Sequence, residues 1–435
     1  MQIEQFEVTG LFGRFRREIP FTTTHVDAED ALSLVILHGL NGSGKTTALR
    51  MLDGFMKLDF DAFRSVEFDR AQLRFSTDLE ITVASTETRR GAPGLRVAFD
   101  EHEVVLDGQL GEKGPADRRD RNKVEDFRTH FFDETRSIQL EYIHVDRSAG
   151  PSKVSGEYQY HTSALGEIVA VPDGSRRRQS PRDEFLAQKV RDFVREAQVN
   201  YRRFFRQNEP NLMSGILARL KSGGDLVDVN VDELRARYRE LSEVRAKHDR
   251  YGLEPDAWEH EEVDSFLSPP LPASLDQTAI SVLGSYADFL HARSRERELI
   301  AQRLGTFERL VNEFFRDKEL RIDARDGFVI LGPNAARLRE HQLSSGEYHL
   351  LYLLIAALTT QRRGTVLAID EPELSMHISW QRRLIDSLLE CASNASPQLL
   401  LASHSPDIVG SYRDYLVEFG TPEELAQLRR TGHKA

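Results

Sequence analysis

The spacing of apolar and polar residues divides the chain into two segments of alternating strands and helices, with a mainly helical segment between them. Near the N-terminus, a short apolar run from Leu32 to His38 is followed by helical spacing from Thr46 to Met56. A short run rich in Val, Ile and Leu is typical of a strand that is buried on both faces of a sheet. The pattern therefore predicts a parallel sheet flanked by helices, which is an α/β fold.

Helical spacing dominates the middle of the chain. Leu186, Val190 and Val194 fall on one helical face, and a longer helical pattern extends from Asp276 to Phe315. Strands and helices alternate again in the C-terminal part. We therefore predict the N-terminal half of an α/β core at residues 1–150, a mainly helical insertion at 151–318, and the C-terminal half of the core at 319–435.

The composition narrows the class of protein. No run approaches the roughly 18 apolar residues that a membrane span needs, and the net charge of −12 argues against nonspecific nucleic-acid binding by the whole surface. A single cysteine, Cys391, and an N-terminus without a secretory pattern fit a reducing compartment. We expect a cytoplasmic protein without a membrane partner.

A glycine-rich segment after the first buried strand carries the clearest chemistry. It reads GLNGSGKT and matches the phosphate-loop pattern G-x-x-x-x-G-K-[ST], with a strand before it and a helix after it. Such a loop turns backbone N–H groups toward a phosphate at the positive end of the helix. Lys45 is expected to reach the β- and γ-phosphates, and Thr46 to offer its hydroxyl to Mg²⁺. The expected phosphate-binding residues are Gly39, Asn41, Gly42, Ser43, Gly44, Lys45, Thr46 and Thr47.

Two carboxylates follow another apolar strand, which is predicted from Thr365 to Ile369. The carboxyl ends of parallel strands form the edge at which α/β sheets bind ligands. Asp370 is expected to hold Mg²⁺, and Glu371 to orient and deprotonate the water that attacks the γ-phosphate. An acidic pair that only caps a helix is the alternative.

A histidine and a serine-rich segment complete the set. His404 follows an apolar strand that begins at Gln398, so we expect it at the same sheet edge, where it can hydrogen-bond the γ-phosphate. A purely structural histidine is the alternative. The segment from Ser344 to Glu347 precedes an apolar helix and is either a second anion site or a simple N-cap.

These segments resemble the motifs of the ABC ATPase superfamily, in particular its non-transporter branch of SMC, RecF and overcoming-lysogenisation-defect ATPases. Gly39–Thr46 resembles Walker A, Leu343–Glu347 the LSGGQ-like signature, Leu367–Glu371 Walker B, and His404 the switch histidine, all in the family's order. The resemblance implies an ABC-type P-loop ATPase head with a large helical insertion between its halves. It also implies ATP and Mg²⁺ as cofactors.

The resemblance further implies a homodimer or higher homo-oligomer that holds ATP between two copies. The signature residues Ser344, Ser345, Gly346 and Glu347 of one copy are then expected to complete the phosphate site of the other. Two of them depart from the family's pattern, because Ser345 replaces a glycine and Glu347 replaces a glutamine.

Two further roles are assigned by resemblance to the family. The metal-contacting glutamine is not evident in the sequence, and we assign it to Gln139. The aromatic residue that stacks on adenine is assigned to Phe12 or Phe15, either of which is alternatively a core residue.

Two functions fit such an ATPase. The first is a switch that regulates a separate effector in bacterial antiphage defence, resembling systems such as PARIS. A Toprim-type nuclease is one candidate effector, expected on another polypeptide because the sequence ends soon after His404. The alternative is DNA repair or chromosome maintenance, with DNA held by the insertion and by Arg176, Arg177, Arg178 and Arg182, unless these arginines only form a solvated loop. The large insertion disfavours a transporter subunit.

Overall fold

The computed structural model describes residues 1–21, 33–87, 93–107, 118–144, 159–162, 168–171, 185–199, 231–253, 277–360, 364–392 and 397–420. The chain divides into two compact units, of which the first combines Met1–Gly156 with Thr360–Ala435 and the second is Glu157–Thr359. The second unit includes residues 319–359, which the sequence analysis groups with the C-terminal half of the core. The three-segment division stays a prediction.

The N-terminal part of the first unit supplies most of its strands. Its elements are β1 (Ile3–Leu11), β2 (Phe15–Pro20), β3 (Leu34–His38), α1 (Lys45–Lys57), α2 (Asp61–Arg64), β4 (Arg70–Phe75), β5 (Glu80–Glu87), β6 (Pro93–Phe99), β7 (His102–Asp107), α3 (Arg118–Thr135) and β8 (Leu140–Ile143).

The second unit contains long helices and two small antiparallel sheets. Its elements are β9 (Gln159–Thr162), β10 (Ile168–Val171), α4 (185–199), α5 (Val231–Arg250), α6 (Gln277–Phe314), β11 (Glu319–Asp323), β12 (Gly327–Leu331), β13 (Arg337–Leu338) and α7 (Ser345–Thr359).

The C-terminal part of the chain returns to the first unit. Its elements are β14 (Val366–Asp370), α8 (Ile378–Cys391), β15 (Gln398–Ser403), α9 (Pro406–Ser411) and β16 (Leu416–Glu418).

A five-stranded parallel sheet of the first unit has the strand order β16-β3-β15-β14-β8. Its central strands β3, β14 and β15 are buried along nearly their whole length, as expected for strands that are covered on both faces. In the register of these strands, His38 lies opposite Ser403, and Ala402 lies opposite Asp370. The three carboxyl ends therefore meet at one edge of the sheet.

The other large sheet of this unit is antiparallel and has the order β2-β1-β4-β5-β6-β7. Burial alternates along β2, so one face of the sheet is turned to the core. Helix α1 contributes Leu49, Leu52 and Phe55 to the same core, which also includes residues of the parallel sheet. Phe55 meets Phe6 of β1 edge to face, with 6.1 Å between the ring centroids. Both sheets therefore anchor the helix that follows the glycine-rich loop.

A buried glutamine ties the two sheets together. Gln398 of β15 is 2% exposed, and its side-chain Nε2 donates to the carbonyl oxygen of Ile3 at 2.7 Å. Its Oε1 accepts a hydrogen bond from the N–H of Ile3 at 3.1 Å. Because both ends of the amide are paired, its burial carries no penalty for an unsatisfied polar group.

In the second unit, helices α5 and α6 pack side by side. Their shared core contains Leu234, Tyr238, Leu241, Ile280, Ala287 and Leu290. The ion pairs along their contact are Arg237–Asp288, Lys247–Glu298 and Arg250–Glu308. From one ion pair to the next, the residue numbers increase in the same direction along both helices. The two helices therefore run parallel.

The structure confirms the strands and helices that the sequence predicts around the glycine loop and Asp370. The helical spacing from Thr46 corresponds to α1, the strand before Asp370 to β14, and the long helical pattern to α6. Among the described residues, no helix is both long enough and apolar enough to cross a membrane. The arginines at 176–178 and 182 lie outside the described residues.

Candidate functional site

The loop between β3 and α1 has a backbone that requires glycine. Gly42 and Gly44 have φ angles of 82° and 96°, in the left-handed region that disfavours residues with a Cβ atom. A Cβ atom at Gly39 would lie 2.0 Å from the carbonyl oxygen of Phe419. The loop therefore turns tightly and delivers the chain directly into α1, which begins at Lys45.

Lys45 is the first residue of α1, and its side chain contacts this loop. Its side chain is buried, and Nζ donates to the carbonyl oxygens of Gly39 at 2.8 Å and Leu40 at 3.0 Å. Burial lowers the pKa of Lys45, whereas the nearby carboxylates of Asp370 and Glu371 favour its charged form. The ammonium group is therefore within electrostatic range of the carboxylates at the end of β14.

The carboxylate pair lies at the carboxyl end of β14, which is separated from β3 by β15. Asp370 is 3% exposed, and Glu371 is half-buried with a φ of 51°. The N–H of Glu371 donates to the carbonyl oxygen of Ala402 at 2.9 Å, which fixes the turn. Helix α8 begins only at Ile378, and its N-cap is His377. The pair is therefore not the cap of a helix.

His404 connects the third strand to the carboxylates. Its Nε2 lies 3.1 Å from Oε1 of Glu371. Glu373 holds the backbone at this point, because its Oε1 accepts hydrogen bonds from the N–H groups of His404 at 2.9 Å and Ser405 at 3.1 Å. The role of Glu373 is not evident from the sequence, because only the fold brings it to the end of β15.

His144 also lies at this edge and is absent from the sequence predictions. Its Nδ1 is 3.3 Å from Oδ2 of Asp370, and Arg50 makes a 3.0 Å hydrogen bond to its Nε2. Because a guanidinium group can only donate, Nε2 accepts. The hydrogen-bond partner of Nδ1 is the Tyr142 hydroxyl at 3.4 Å, and Asp370 lies beside it.

Gln139, in contrast, is in the wrong place for a metal ligand. It lies before β8, its carbonyl oxygen accepts a hydrogen bond from the N–H of Val366 at the start of β14, and it is exposed. Since β8 and β14 are parallel, Gln139 is at the end of the sheet opposite to Asp370. The assignment of Gln139 is corrected: the residue beside Asp370 is His144.

The other predicted phosphate-binding residues surround the start of α1. Thr46 and Thr47 are half-buried in its first turn, whereas Asn41 and Gly42 are exposed. The hydroxyl of Ser43 is buried and has no hydrogen-bond partner among the described residues. Their role as ligand contacts stays a prediction.

Basic groups lie around the start of α1, close to the carboxylates of Asp370 and Glu371. Burial lowers the pKa of His38 at the end of β3, and the neighbouring Lys45 and His404 lower it further, against a hydrogen bond to the carbonyl oxygen of Ser403. Three basic groups and the positive end of α1 are therefore within electrostatic range of one another.

In the second unit, the signature segment forms the N-terminus of α7. Ser344 donates its N–H to Oε2 of Glu347 at 2.8 Å, and the N–H of Glu347 donates to the Ser344 hydroxyl at 3.3 Å. This reciprocal pair is a capping box. Lys318 Nζ lies 2.7 Å from both carboxylate oxygens of Glu347. Burial acts to raise the pKa of Glu347, but the hydrogen bonds from Lys318 and Ser344 outweigh it and lower the pKa.

This arrangement explains the glutamate in place of glutamine, because a carboxylate can accept from both Lys318 and the backbone. The segment from Ser344 to Glu347 is compatible both with a second anion site and with a simple N-cap, since the N-terminus of a capped helix can also attract an anion. The assignment of Ser344, Ser345, Gly346 and Glu347 to a nucleotide stays a prediction.

The two aromatic candidates differ in their surroundings. Phe15 is buried, and the guanidinium groups of Arg14 and Arg17 lie 4.5 Å and 4.4 Å from its ring centroid. Phe12 is 39% exposed, and a Cβ atom at Gly44 would be 3.3 Å from its ring. Phe12 is therefore the candidate that is both accessible and next to the loop.

The edge of the parallel sheet thus carries a tight glycine loop with a buried lysine, a carboxylate pair and a histidine. With these features, the protein is an ABC-type ATPase of the non-transporter branch. The chain belongs to the family described as "AAA domain, putative AbiEii toxin, Type IV TA system", whose model matches residues 34–410.

Solved structures with a similar fold include Smc head domains. For the head domain from Pyrococcus furiosus, solved with an extended coiled coil and bound to the C-terminal domain of ScpA, the identity is 14%, 99% of each chain is covered and the TM-score is 0.39. For the head domain from Pyrococcus yayanosii, the identity is 12%, the coverage is again 99% of each chain and the TM-score is 0.40. A comparison with curated proteins finds no match.

Proposed function

We propose that the protein binds ATP with Mg²⁺ and hydrolyses it at the edge of the parallel sheet. One observation carries this proposal: the carboxyl ends of three neighbouring strands bring a phosphate loop, two carboxylates and a histidine together. The proposed catalytic groups are Lys45, Glu371 and His404.

The phosphates are proposed to bind against the N–H groups of the glycine loop, at the positive end of α1. Lys45 exchanges its hydrogen bonds to two loop carbonyls for phosphate oxygens. Thr46 and Asp370 are the residues that would hold Mg²⁺, because hydroxyl and carboxylate oxygens are the ligands it prefers. When bound, the ion neutralises part of the phosphate charge.

Glu371 is proposed as the group that orients the attacking water and accepts its proton. Its turn is fixed through Ala402, and its carboxylate is already oriented by Nε2 of His404 at 3.1 Å. His404 is then positioned to donate a hydrogen bond to the γ-phosphate as negative charge builds up there. Glu373 supports this arrangement by holding the backbone of His404.

We further propose that ATP joins two copies of the chain. The resemblance of Ser344–Glu347 to the signature motif places this segment opposite the phosphate loop of a second copy. The N-terminus of α7 suits that task, because the positive end of a helix attracts a phosphate. Binding ATP would then favour the closed dimer, and hydrolysis would remove the contacts that hold it.

The molecular mass in solution tests this dimer. With ATP and Mg²⁺, the Glu371→Gln variant is expected to reach twice the 49.6 kDa of one chain in light scattering. Lys45→Ala, which loses the phosphate contact, should show no ATP-dependent increase in mass. An unchanged mass of Glu371→Gln after ATP addition, with ATP demonstrably bound, would contradict the proposal.

The biological role that we propose is a sensor and regulator of a separate effector in bacterial antiphage defence. The family description names a putative toxin of a Type IV toxin–antitoxin system, which supports a function in defence rather than in transport. An ATP-dependent dimer offers the two states that such a regulator needs. A Toprim-type nuclease is one candidate effector.

Partner capture and infection assays test this role. A tagged chain is purified from its native cells before and after phage infection, and the associated proteins are identified by mass spectrometry. We expect a protein partner whose association changes on infection, and loss of protection against phage with Lys45→Ala. ATPase activity that is strongly stimulated by DNA alone, without any protein partner, would contradict it.

DNA repair or chromosome maintenance is the second candidate, and the 38-residue helix α6 is the observation that favours it. Three basic groups of α5 weigh against it, because Arg237, Lys247 and Arg250 are paired with acidic residues of α6 and are not available for a phosphate backbone.

A further inference from the structure

Three side chains with metal-binding atoms gather in the first unit, on the antiparallel sheet. Asp100 lies in the turn between β6 and β7, His102 is the first residue of β7, and His130 belongs to α3. One ligand atom from each side chain lies within 4.8 Å of a ligand atom from each of the other two. None of these residues takes part in the ATP site described above.

The fold itself brings these residues together. His102 pairs with Phe99 across the turn, so both side chains lie on the face of the sheet that also presents Val104. Helix α3 packs against β7. The helix buries Phe127 and Phe131, and His130 lies at the border of this apolar face, at 5.6 Å from the ring of Phe99.

The distances are close to those of a metal centre. His130 Nε2 is 3.6 Å from Oδ2 of Asp100, which is too long for a hydrogen bond. Ligand atoms around a tetrahedral Zn²⁺ are separated by about 3.4 Å, given metal–ligand distances of about 2.0–2.1 Å. The rings of His102 and His130 are 4.4 Å apart. Asp100 and His102 are exposed, and a shared metal ion requires their side chains to turn toward His130.

One atom of His130 within this cluster has no hydrogen-bond partner in the described part of the chain. Its Nε2 is shielded from solvent, yet it makes no hydrogen bond to any described residue. A buried polar atom without a partner is costly, and it calls for a ligand. The neighbouring Asp100 is near but outside hydrogen-bonding range.

We propose that Asp100, His102 and His130 bind one divalent transition-metal ion of the Zn²⁺ class. Two imidazoles and one carboxylate are ligands that suit Zn²⁺, whereas Mg²⁺ and Ca²⁺ prefer oxygen ligands throughout. The ion links the β6–β7 turn to α3, with a water molecule as the fourth ligand. It is chemically and spatially separate from the Mg²⁺ of the ATP site, since it shares no residue with that site.

Metal titration of the full-length chain tests the proposal. The protein is stripped with a chelator, desalted and titrated with Zn²⁺ in a calorimeter, without nucleotide. His102→Ala and Asp100→Asn should each weaken the binding of one equivalent of Zn²⁺ by at least about 10-fold, the smallest effect that loss of a metal-site residue usually has. Asn also tolerates the positive φ of 51° at position 100, so the turn is retained.

Two matched controls separate this site from nonspecific binding. Glu101→Gln removes an exposed carboxylate from the same turn, and His291→Ala removes a histidine from α6. Neither should change the Zn²⁺ affinity. If His102→Ala binds Zn²⁺ as tightly as Glu101→Gln does, the site does not exist as proposed.

A spectroscopic readout distinguishes a metal ligand from a merely structural histidine. With Co²⁺ as the probe, His102→Cys should add a thiolate-to-metal charge-transfer band in the near ultraviolet. Circular dichroism of the same variant verifies that it is folded. A folded His102→Cys protein without this band would overturn the assignment of His102.

Discussion

At the residue scale, His144 illustrates how a neighbouring strand completes a site. The short strand β8 carries no strong sequence signal, and only its parallel pairing with β14 reveals which of its ends lies beside Asp370. The sequence favours Gln139 only because its residue type matches the family's pattern. A residue type in one sequence does not specify which strand is the neighbour, so this part of the site could not be predicted.

Replacing His144 tests whether this residue, and not Gln139, acts beside Asp370. We expect His144→Ala to raise the Mg²⁺ concentration needed for half-maximal ATP hydrolysis by about 10-fold, because Asp370 loses the imidazole that lies 3.3 Å from its carboxylate. Gln139→Ala is the matched control and should behave as the parent protein. The measurement is the ATPase rate as a function of Mg²⁺, and a larger effect for Gln139→Ala would contradict the placement.

Gly39 offers a second test at this scale. Because a Cβ atom would lie 2.0 Å from the Phe419 carbonyl oxygen, Gly39→Ala must displace backbone, and we expect a loss of about 1–3 kcal/mol in the free energy of unfolding together with weaker ATP binding. A Cβ atom at Gly410 meets nothing within 4 Å, so Gly410→Ala should keep the parental stability and affinity. Urea unfolding and nucleotide titration measure both quantities. Equal effects of the two substitutions would show that the close approach does not matter.

At the element scale, the sequence specifies most of the elements around the site. The apolar runs before the glycine loop and before Asp370, and the helical spacing after Lys45, are local patterns, and the structure has β3, β14 and α1 there. The sequence also suggests the N-cap that Ser344 provides, because a small polar residue precedes an apolar helix. Strand order is not local information, and neither is the salt bridge from Lys318 to Glu347.

A buried glutamate provides a test of how α4 begins. Glu340 is 3% exposed, and its carboxylate accepts hydrogen bonds from the N–H groups of Leu186 at 3.1 Å and Ala187 at 2.8 Å. We expect Glu340→Ala to lower the free energy of unfolding by about 2 kcal/mol, because two N–H groups lose a charged partner.

The control for Glu340 is an exposed glutamate in the same unit. Glu313 pairs with Arg309 one turn earlier on α6, and Glu313→Ala should cost only about 0.3–0.5 kcal/mol. Denaturant unfolding of both variants measures the difference. Similar losses for Glu340→Ala and Glu313→Ala would mean that Glu340 does not cap the helix.

At the scale of the whole molecule, the chain leaves one compact unit and later returns to it. The Walker-type segments near Lys45 and Asp370 belong to the same unit although they are distant in sequence, whereas the signature segment belongs to the other unit. Sequence spacing alone groups residues 319–435 together, since it contains no information on which long-range contacts form. In the proposed dimer, the first unit of one copy and the signature segment of the other copy would together form each ATP site.

The central claim is that Lys45 and Glu371 act on the same ATP molecule in different ways. Measuring ATP binding and ATP hydrolysis on the same preparations separates their roles. We predict that Lys45→Ala loses ATP binding, whereas Glu371→Gln retains ATP but hydrolyses it at least about 100-fold more slowly, as expected on loss of a general base. Hydrolysis by Glu371→Gln at the parental rate would contradict this account of the site.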